Sequence, residues 1–189
     1  TVGSTDNGAT VNKVVNKDGI DVTKYYDFTI NSGTLTVNKR PLVIQTTNVS
    51  KTYDGTALEF SGYDYSQTPI ANDQQIQFKN ASLTDAGEID IASNTTVWIF
   101  DNDNHDVSSN YDLSYQGDGK IIVNKRDIFL FSKTESKVYD ATPLTANGYT
   151  ITQGELVDGE TIVPVYNQDI TNVGWVNNLF TVTIVKADG

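Results

Sequence analysis

The side chains best placed to do chemistry in this 189-residue chain are oxygen donors. Asp101-Asn102-Asp103-Asn104-His105-Asp106 is the densest acidic cluster, and Asp101, Asp103 and Asp106 are carboxylates of the kind Ca²⁺ takes, about six to eight oxygens at a time. The loop lacks the central Gly and terminal Glu of an EF-hand. Its counterpart, Asn16-Lys17-Asp18-Gly19-Ile20-Asp21, has Lys17 in place of one polar ligand. A hydrated β-turn is the simpler reading. Tyr53-Asp54 and Tyr139-Asp140 are the second candidate, since a ring beside a carboxylate can stack on a sugar and hydrogen-bond to it. The simpler reading is again structural: the Asp closes a turn on its own backbone while the Tyr packs over a strand.

Other chemistries are bounded by composition. Cys is absent, which excludes disulfide scaffolds, thiolate metal sites and thiol nucleophiles, and His105 is the single His, so imidazole triads and multi-His zinc sites have no material. Nucleophile elbows and phosphate-cradling Gly loops are also missing from the sequence. Lys+Arg numbers 13 against 24 Asp+Glu, a formal net charge of −11 that opposes nucleic-acid binding. No run approaches the roughly 18 uncharged apolar residues of a membrane helix. The start shows neither Met nor an apolar leader, which reads as a piece of a longer chain.

The elements that must position these residues come in copies. Val37-Asn38-Lys39-Arg40 recurs 86 residues later as Val123-Asn124-Lys125-Arg126. Lys51-Thr52-Tyr53-Asp54-Gly55-Thr56-Ala57-Leu58 recurs at the same spacing as Lys137-Val138-Tyr139-Asp140-Ala141-Thr142-Pro143-Leu144, and Gly62-Tyr63 as Gly148-Tyr149. Tyr26-Asp27 and Tyr111-Asp112 match at 85, while Asp188-Gly189 match Asp103-Asn104 and Asp18-Gly19. A period this long predicts tandem globular domains rather than solenoid coils. The expected division is 1–40, the end of a preceding repeat; 41–126, a complete repeat; and 127–189, the front of a following one.

Each copy reads as strands. Phe180-Thr181-Val182-Thr183-Ile184 alternates with period two, predicting one buried face, and Thr96-Val97-Trp98-Ile99-Phe100 is its counterpart. Thr34-Leu35-Thr36-Val37 alternates likewise, opposite Gly119-Lys120-Ile121-Ile122-Val123 in the next copy. Asp18-Gly19, Asp118-Gly119 and Asp158-Gly159 suit type I′ hairpins, and a helical turn is allowed near 83–87. The expected fold is mainly β: tandem antiparallel β-sandwich-like or β-grasp-like repeat domains.

The Tyr-Asp-Gly motif at 51–58, the Asp21-Val22-Thr23…Tyr26 and Asp106-Val107-Ser108…Tyr111 segments and Gly33-Thr34-Leu35-Thr36-Val37-Asn38-Lys39-Arg40 resemble MBG/YDG-type tandem repeats of bacterial, lactobacillus-like surface adhesins. The resemblance covers essentially the whole chain. It implies an extracellular, cell-wall-anchored, non-catalytic β module acting as stalk or spacer, with adjacent repeats as its neighbours. One departure is Ala141 in place of Gly55, which argues against a strict need for left-handed backbone there, because a Cβ disfavours it. The alternative function is multivalent binding of host mucin, glycan or surface protein. Exposed aromatics discriminate the two: Trp98 and Trp175 are expected to point outward, while burial of the repeated Tyr63 and Tyr149 would favour the spacer.

Overall fold

The computed structural model describes residues 2–186, so Asp188 and Gly189 lie outside the described residues. The chain is mainly β, as the alternating pattern predicts. Its first strands are β1 (Gly3–Asn7) and β2 (Gly33–Val37), followed by β3 (Arg40–Gln45), β4 (Val49–Thr52) and β5 (Leu58–Glu59). Next come β6 (Gln75–Lys79), β7 (Ser82–Leu83), β8 (Gly87–Asp90), a helical turn α1 (Ile91–Asn94) and β9 (Thr96–Phe100). β10 (Tyr111–Gln116), β11 (Lys120–Asn124), β12 (Phe129–Ser132), β13 (Tyr149–Gln153), β14 (Glu160–Tyr166) and β15 (Phe180–Lys186) complete the order. The helical turn allowed near 83–87 forms at Ile91–Asn94 instead, where Asp90 Oδ1 accepts the Ser93 N–H and the Asp90 carbonyl accepts from Asn94 Nδ2.

The chain divides into two compact units, each assembled from three stretches: 1–46, 62–80 and 95–117 in the first, 47–61, 81–94 and 118–189 in the second. Residues 41–126 contribute to both. In the first unit β1 and β2 pair antiparallel, β6 and β9 pair antiparallel, and β3 runs parallel to β10. Leu42 and Ile44 of β3, Ile99 of β9 and Tyr111 of β10 form the buried cluster, with Tyr63, Tyr65, Phe78 and Val97 packed on it. In the second unit β11 lies between β4 (parallel) and β8 (antiparallel), and β5–β7, β12–β13 and β14–β15 are antiparallel ribbons. β11 packs on β5 and β7, and its Ile121 and Val123 are buried, as are Phe60, Ala81 and Ile91 of the same unit. Among the described residues β3–β10 and β4–β11 are the parallel pairs, and the other strand pairs are antiparallel.

Two strand readings change. Val182 and Ile184 of β15 are exposed, not on a buried face. Their counterparts Val97 and Ile99 are covered because β3 and β10 lie in their unit, whereas β14–β15 stands as a two-stranded ribbon among the described residues. Leu35 and Val37 of β2 are likewise exposed, since β2 pairs with β1 alone among the described residues. The Asp-Gly turns also differ from type I′, which needs positive φ at both central residues. Gly19 (φ 78°) and Gly159 (φ 83°) are left-handed, but none of the three Asp residues is, nor is Gly119.

Candidate functional site

The two Tyr-Asp motifs fold into the same clamp. Lys51 Nζ donates to Asp54 Oδ1 (2.6 Å), the Thr56 carbonyl (2.7 Å) and Thr56 Oγ1 (2.7 Å). Asp54 Oδ1 also accepts the Thr56 N–H (2.9 Å) and hydroxyl (2.8 Å), an Asp turn closed on its own backbone. In the next copy Lys137 Nζ reaches Asp140 Oδ1 (2.7 Å) and the Thr142 carbonyl and hydroxyl (2.6 Å each), and Asp140 Oδ1 takes the Thr142 N–H and hydroxyl at 2.9 and 2.8 Å. The lysine, foremost, and the turn donors hold both carboxyls well below the usual range. The clamp sets the backbone at its centre: Gly55 has φ 78° and Ala141 φ 62°. The left-handed conformation is therefore kept even where the residue is Ala, correcting the expectation drawn from Ala141. The difference between the copies is steric: a Cβ on Gly55 would lie 2.8 Å from Val157 Cγ1.

The tyrosines are used differently. Tyr53 is half-buried in the second unit. Its hydroxyl donates to Glu160 Oε1 (2.7 Å), its N–H to the Asn124 carbonyl (2.8 Å), and its carbonyl accepts from Arg126 Nε (3.0 Å). Lys186 Nζ sits 5.6 Å from the ring centroid and 3.7 Å from Asp85 Oδ1; contact with the Tyr53 hydroxyl, foremost, raises the Lys186 pKa. Tyr53, Glu160 and Lys186 border a small cleft of about 170 Å³. Tyr139 is 58% exposed and lines a larger cavity of about 630 Å³ with Leu144, Ala146, Ile170, Val173 and Trp175. Glu160, Arg126 and Lys186 were invisible to sequence reasoning as partners of Tyr53, because they lie about a hundred residues away in two of three cases. The one available signal was local: a Lys three residues before the Asp in both copies.

The acidic loop is a turn built twice. Asp101 Oδ1 accepts the N–H groups of Asp103 (3.0 Å) and His105 (2.9 Å), and the Asp101 N–H reaches the His105 carbonyl (3.1 Å). Asn16 Oδ1 accepts from Asp18 and Ile20 (3.0 Å each), and the Asn16 N–H reaches the Ile20 carbonyl (3.0 Å). A neutral Asn thus does what Asp101 does, so the turn needs an acceptor and not a charge. Asp106 Oδ1 takes the Ser108 N–H (2.9 Å), as Asp21 Oδ1 takes that of Thr23 (2.9 Å). Of the expected ligand trio, Asp101 and Asp103 come together with His105, their ligand atoms within 4.8 Å of one another, while Asp106 is turned to Ser108. An imidazole nitrogen in that set suits Ca²⁺ poorly, since Ca²⁺ takes oxygen. His105 Nδ1 lies 3.3 Å from Asp101 Oδ2, and the hydrogen bonds given by His105, its backbone first, lower the Asp101 pKa.

The repeated aromatic residues serve packing. Tyr63 stacks on Phe78 (centroids 4.2 Å apart, 4° between planes) and its hydroxyl bonds Thr95 Oγ1 (2.9 Å); Tyr149 stacks on Phe180 at 5.9 Å. Trp98 is half-buried rather than fully outward, whereas Trp175 is 83% exposed. No family model, curated protein or solved structure matches the chain.

Proposed function

We propose that the chain is a run of non-catalytic tandem β repeats serving as stalk or spacer of a bacterial surface adhesin in host or surface attachment. One observation carries the reading: the elements that recur along the sequence, the Lys-Asp-Thr clamp and the Asp/Asn turn, spend their polar atoms on their own backbone. Repetition of internally satisfied turns is what a scaffold copied for length requires, and it leaves no reacting group in common between copies. The motif resemblance to MBG/YDG repeats points the same way, toward an extracellular, cell-wall-anchored setting. The acidic surface keeps neighbouring chains apart.

Small-angle scattering on chains carrying two, three and four repeats tests this. Each repeat of 86 residues contributes a body of about 12 Å radius of gyration. The stalk reading expects the overall radius to grow linearly with repeat number; growth as the square root, or collapse to one globule, refutes it. A second reading, a module binding host mucin, glycan or surface protein through multivalency, is favoured by Trp175 and Tyr139, two exposed rings on one cavity. A mucin and glycan-array screen separates them, because the spacer reading expects no specific signal.

A further inference from the structure

The Val-Asn-Lys-Arg motif ends each copy, and its arginine reaches forward into the next. In the first unit Arg40 Nε donates to the Pro69 carbonyl (2.9 Å); in the second Arg126 Nη1 donates to the Glu155 carbonyl (3.3 Å). Both acceptors lie 29 residues ahead, inside the following copy. Arg126 Nη1 is also 3.4 Å from Glu155 Oε1, but that side chain is 85% exposed, where an ion pair is worth little. Pro69 carries no charge, and the contact is made there too. The acceptor that the motif uses is therefore the main-chain carbonyl, which every residue type supplies.

The same guanidinium holds the copy behind it. Arg126 Nε donates to the Tyr53 carbonyl (3.0 Å), so one edge of its fork lies on 41–126 and another on 127–186. The strand pairs of this unit each close within one copy, so side chains rather than strand pairing carry the join. The Tyr53 hydroxyl donates to Glu160 Oε1 (2.7 Å), and Lys186 Nζ lies 5.6 Å from the Tyr53 ring centroid. Gly55 approaches Val157 so closely that a Cβ would stand 2.8 Å from its Cγ1.

We infer that Arg126 is a staple at the joint between successive repeats, and that the face of repeat 41–126 around Tyr53 and Gly55 is the docking surface for the repeat that follows it. The inference rests on the tandem-repeat reading above and adds the surface on which one copy seats the next. Two kinds of contact divide the work. The arginine-to-carbonyl bonds are indifferent to the acceptor's side chain, so copies that differ in sequence still join. Tyr53 with Glu160, and Gly55 against Val157, depend on the residues present and fix which surfaces meet. A hydrogen bond from a charged donor contributes more than a neutral one, and the Arg126 side chain is only 27% exposed. Its loss opens the joint while the strand pairs on either side remain.

The chain has no Cys, so one nitroxide on Asp85→Cys, an exposed site in 41–126, reports which amides of the following copy lie near it. Lys186 Nζ is 3.7 Å from Asp85 Oδ1, and so exposed a pair is lost at little cost. With no other change the label is expected to broaden the amides of Glu160 and Lys186, which face each other across β14 and β15. Arg126→Met should reduce that broadening several-fold while the β11, β14 and β15 amides keep their strand shifts. Arg126→Lys, which keeps the charge but not the fork, should reduce it as well and carries the test if Met unfolds β11. Arg40→Met, in the first unit, should leave it unchanged. No broadening at the outset, broadening that survives the Arg126 changes in a folded chain, or equal loss with Arg40→Met overturns the inference. Broadening intact beside a scattering profile collapsed to one globule would retire the stalk and keep the joint; broadening absent beside linear growth would do the reverse.

Discussion

Replacing Gly55 by Ala and Ala141 by Gly exchanges the residues at the centres of two otherwise matching clamps, and the outcomes are expected to be unequal. Left-handed backbone costs a residue with a Cβ roughly 1–2 kcal/mol, partly offset because Ala has about 0.4–1 kcal/mol less unfolded-chain freedom to lose than Gly. Ala141→Gly is therefore expected to stabilise by about 0.5–1 kcal/mol. Gly55→Ala incurs the same strain and also drives a Cβ to 2.8 Å from Val157 Cγ1. Val is stiff at χ1, so relieving that overlap costs about 1–3 kcal/mol more. The total loss is expected near 2–3 kcal/mol, several times the gain at 141. In a Val157→Ala background the contact part disappears and Gly55→Ala should cost about 1 kcal/mol or less. Two units make a whole-chain transition unsafe as a two-state measure, so urea titration followed at the amides of β8 and β11, in the same unit as both clamps, is the assay. A Gly55→Ala loss no larger than the Ala141→Gly gain, or one that Val157→Ala fails to reduce, would refute the steric account.

Tyr53→Phe removes the hydroxyl that donates to Glu160 and is expected to cost about 1–2 kcal/mol in the same titration, while Tyr139→Phe, at an exposed ring, should stay within about 0.5 kcal/mol. Equal effects would contradict the different roles assigned to the two rings. The carboxyls of Asp54 and Asp140 have folded pKa values below the unfolded one of about 3.9, so their stabilisation is complete above that pH and is lost as the solution is acidified through the lower folded values. Carbon-detected titration should place both midpoints low, and Lys51→Met should bring Asp54 back toward the ordinary value; no change would exclude the lysine as leading cause. Asp101→Asn should leave the thermal midpoint where it is, because Asn16 closes the matching turn, whereas Asp101→Ala should lower it. Loss with Asn would mean the charge matters, and a Ca²⁺-dependent midpoint would then be the measurement to make.

What the residues alone determined was local and repeated. The period of 86 followed from Val-Asn-Lys-Arg and the Tyr-Asp motifs, the strands from two-residue alternation, and the closed turns from Asp and Thr two positions apart, since each is settled within a few bonds of the chain. Those same rules assigned Leu35 and Ile121, or Val37 and Val123, to one kind of place. Tertiary structure separated them: Ile121 and Val123 lie under β5 and β7 with β4 alongside, and Leu35 and Val37 do not. Burial is a property of the partner as much as of the residue, and β3 meeting β10, or Tyr53 meeting Glu160, brings together chain positions whose spacing leaves no local mark. The left-handed Ala141 stays on the local side of this division, because Lys137, Asp140 and Thr142 close around it and override its own preference.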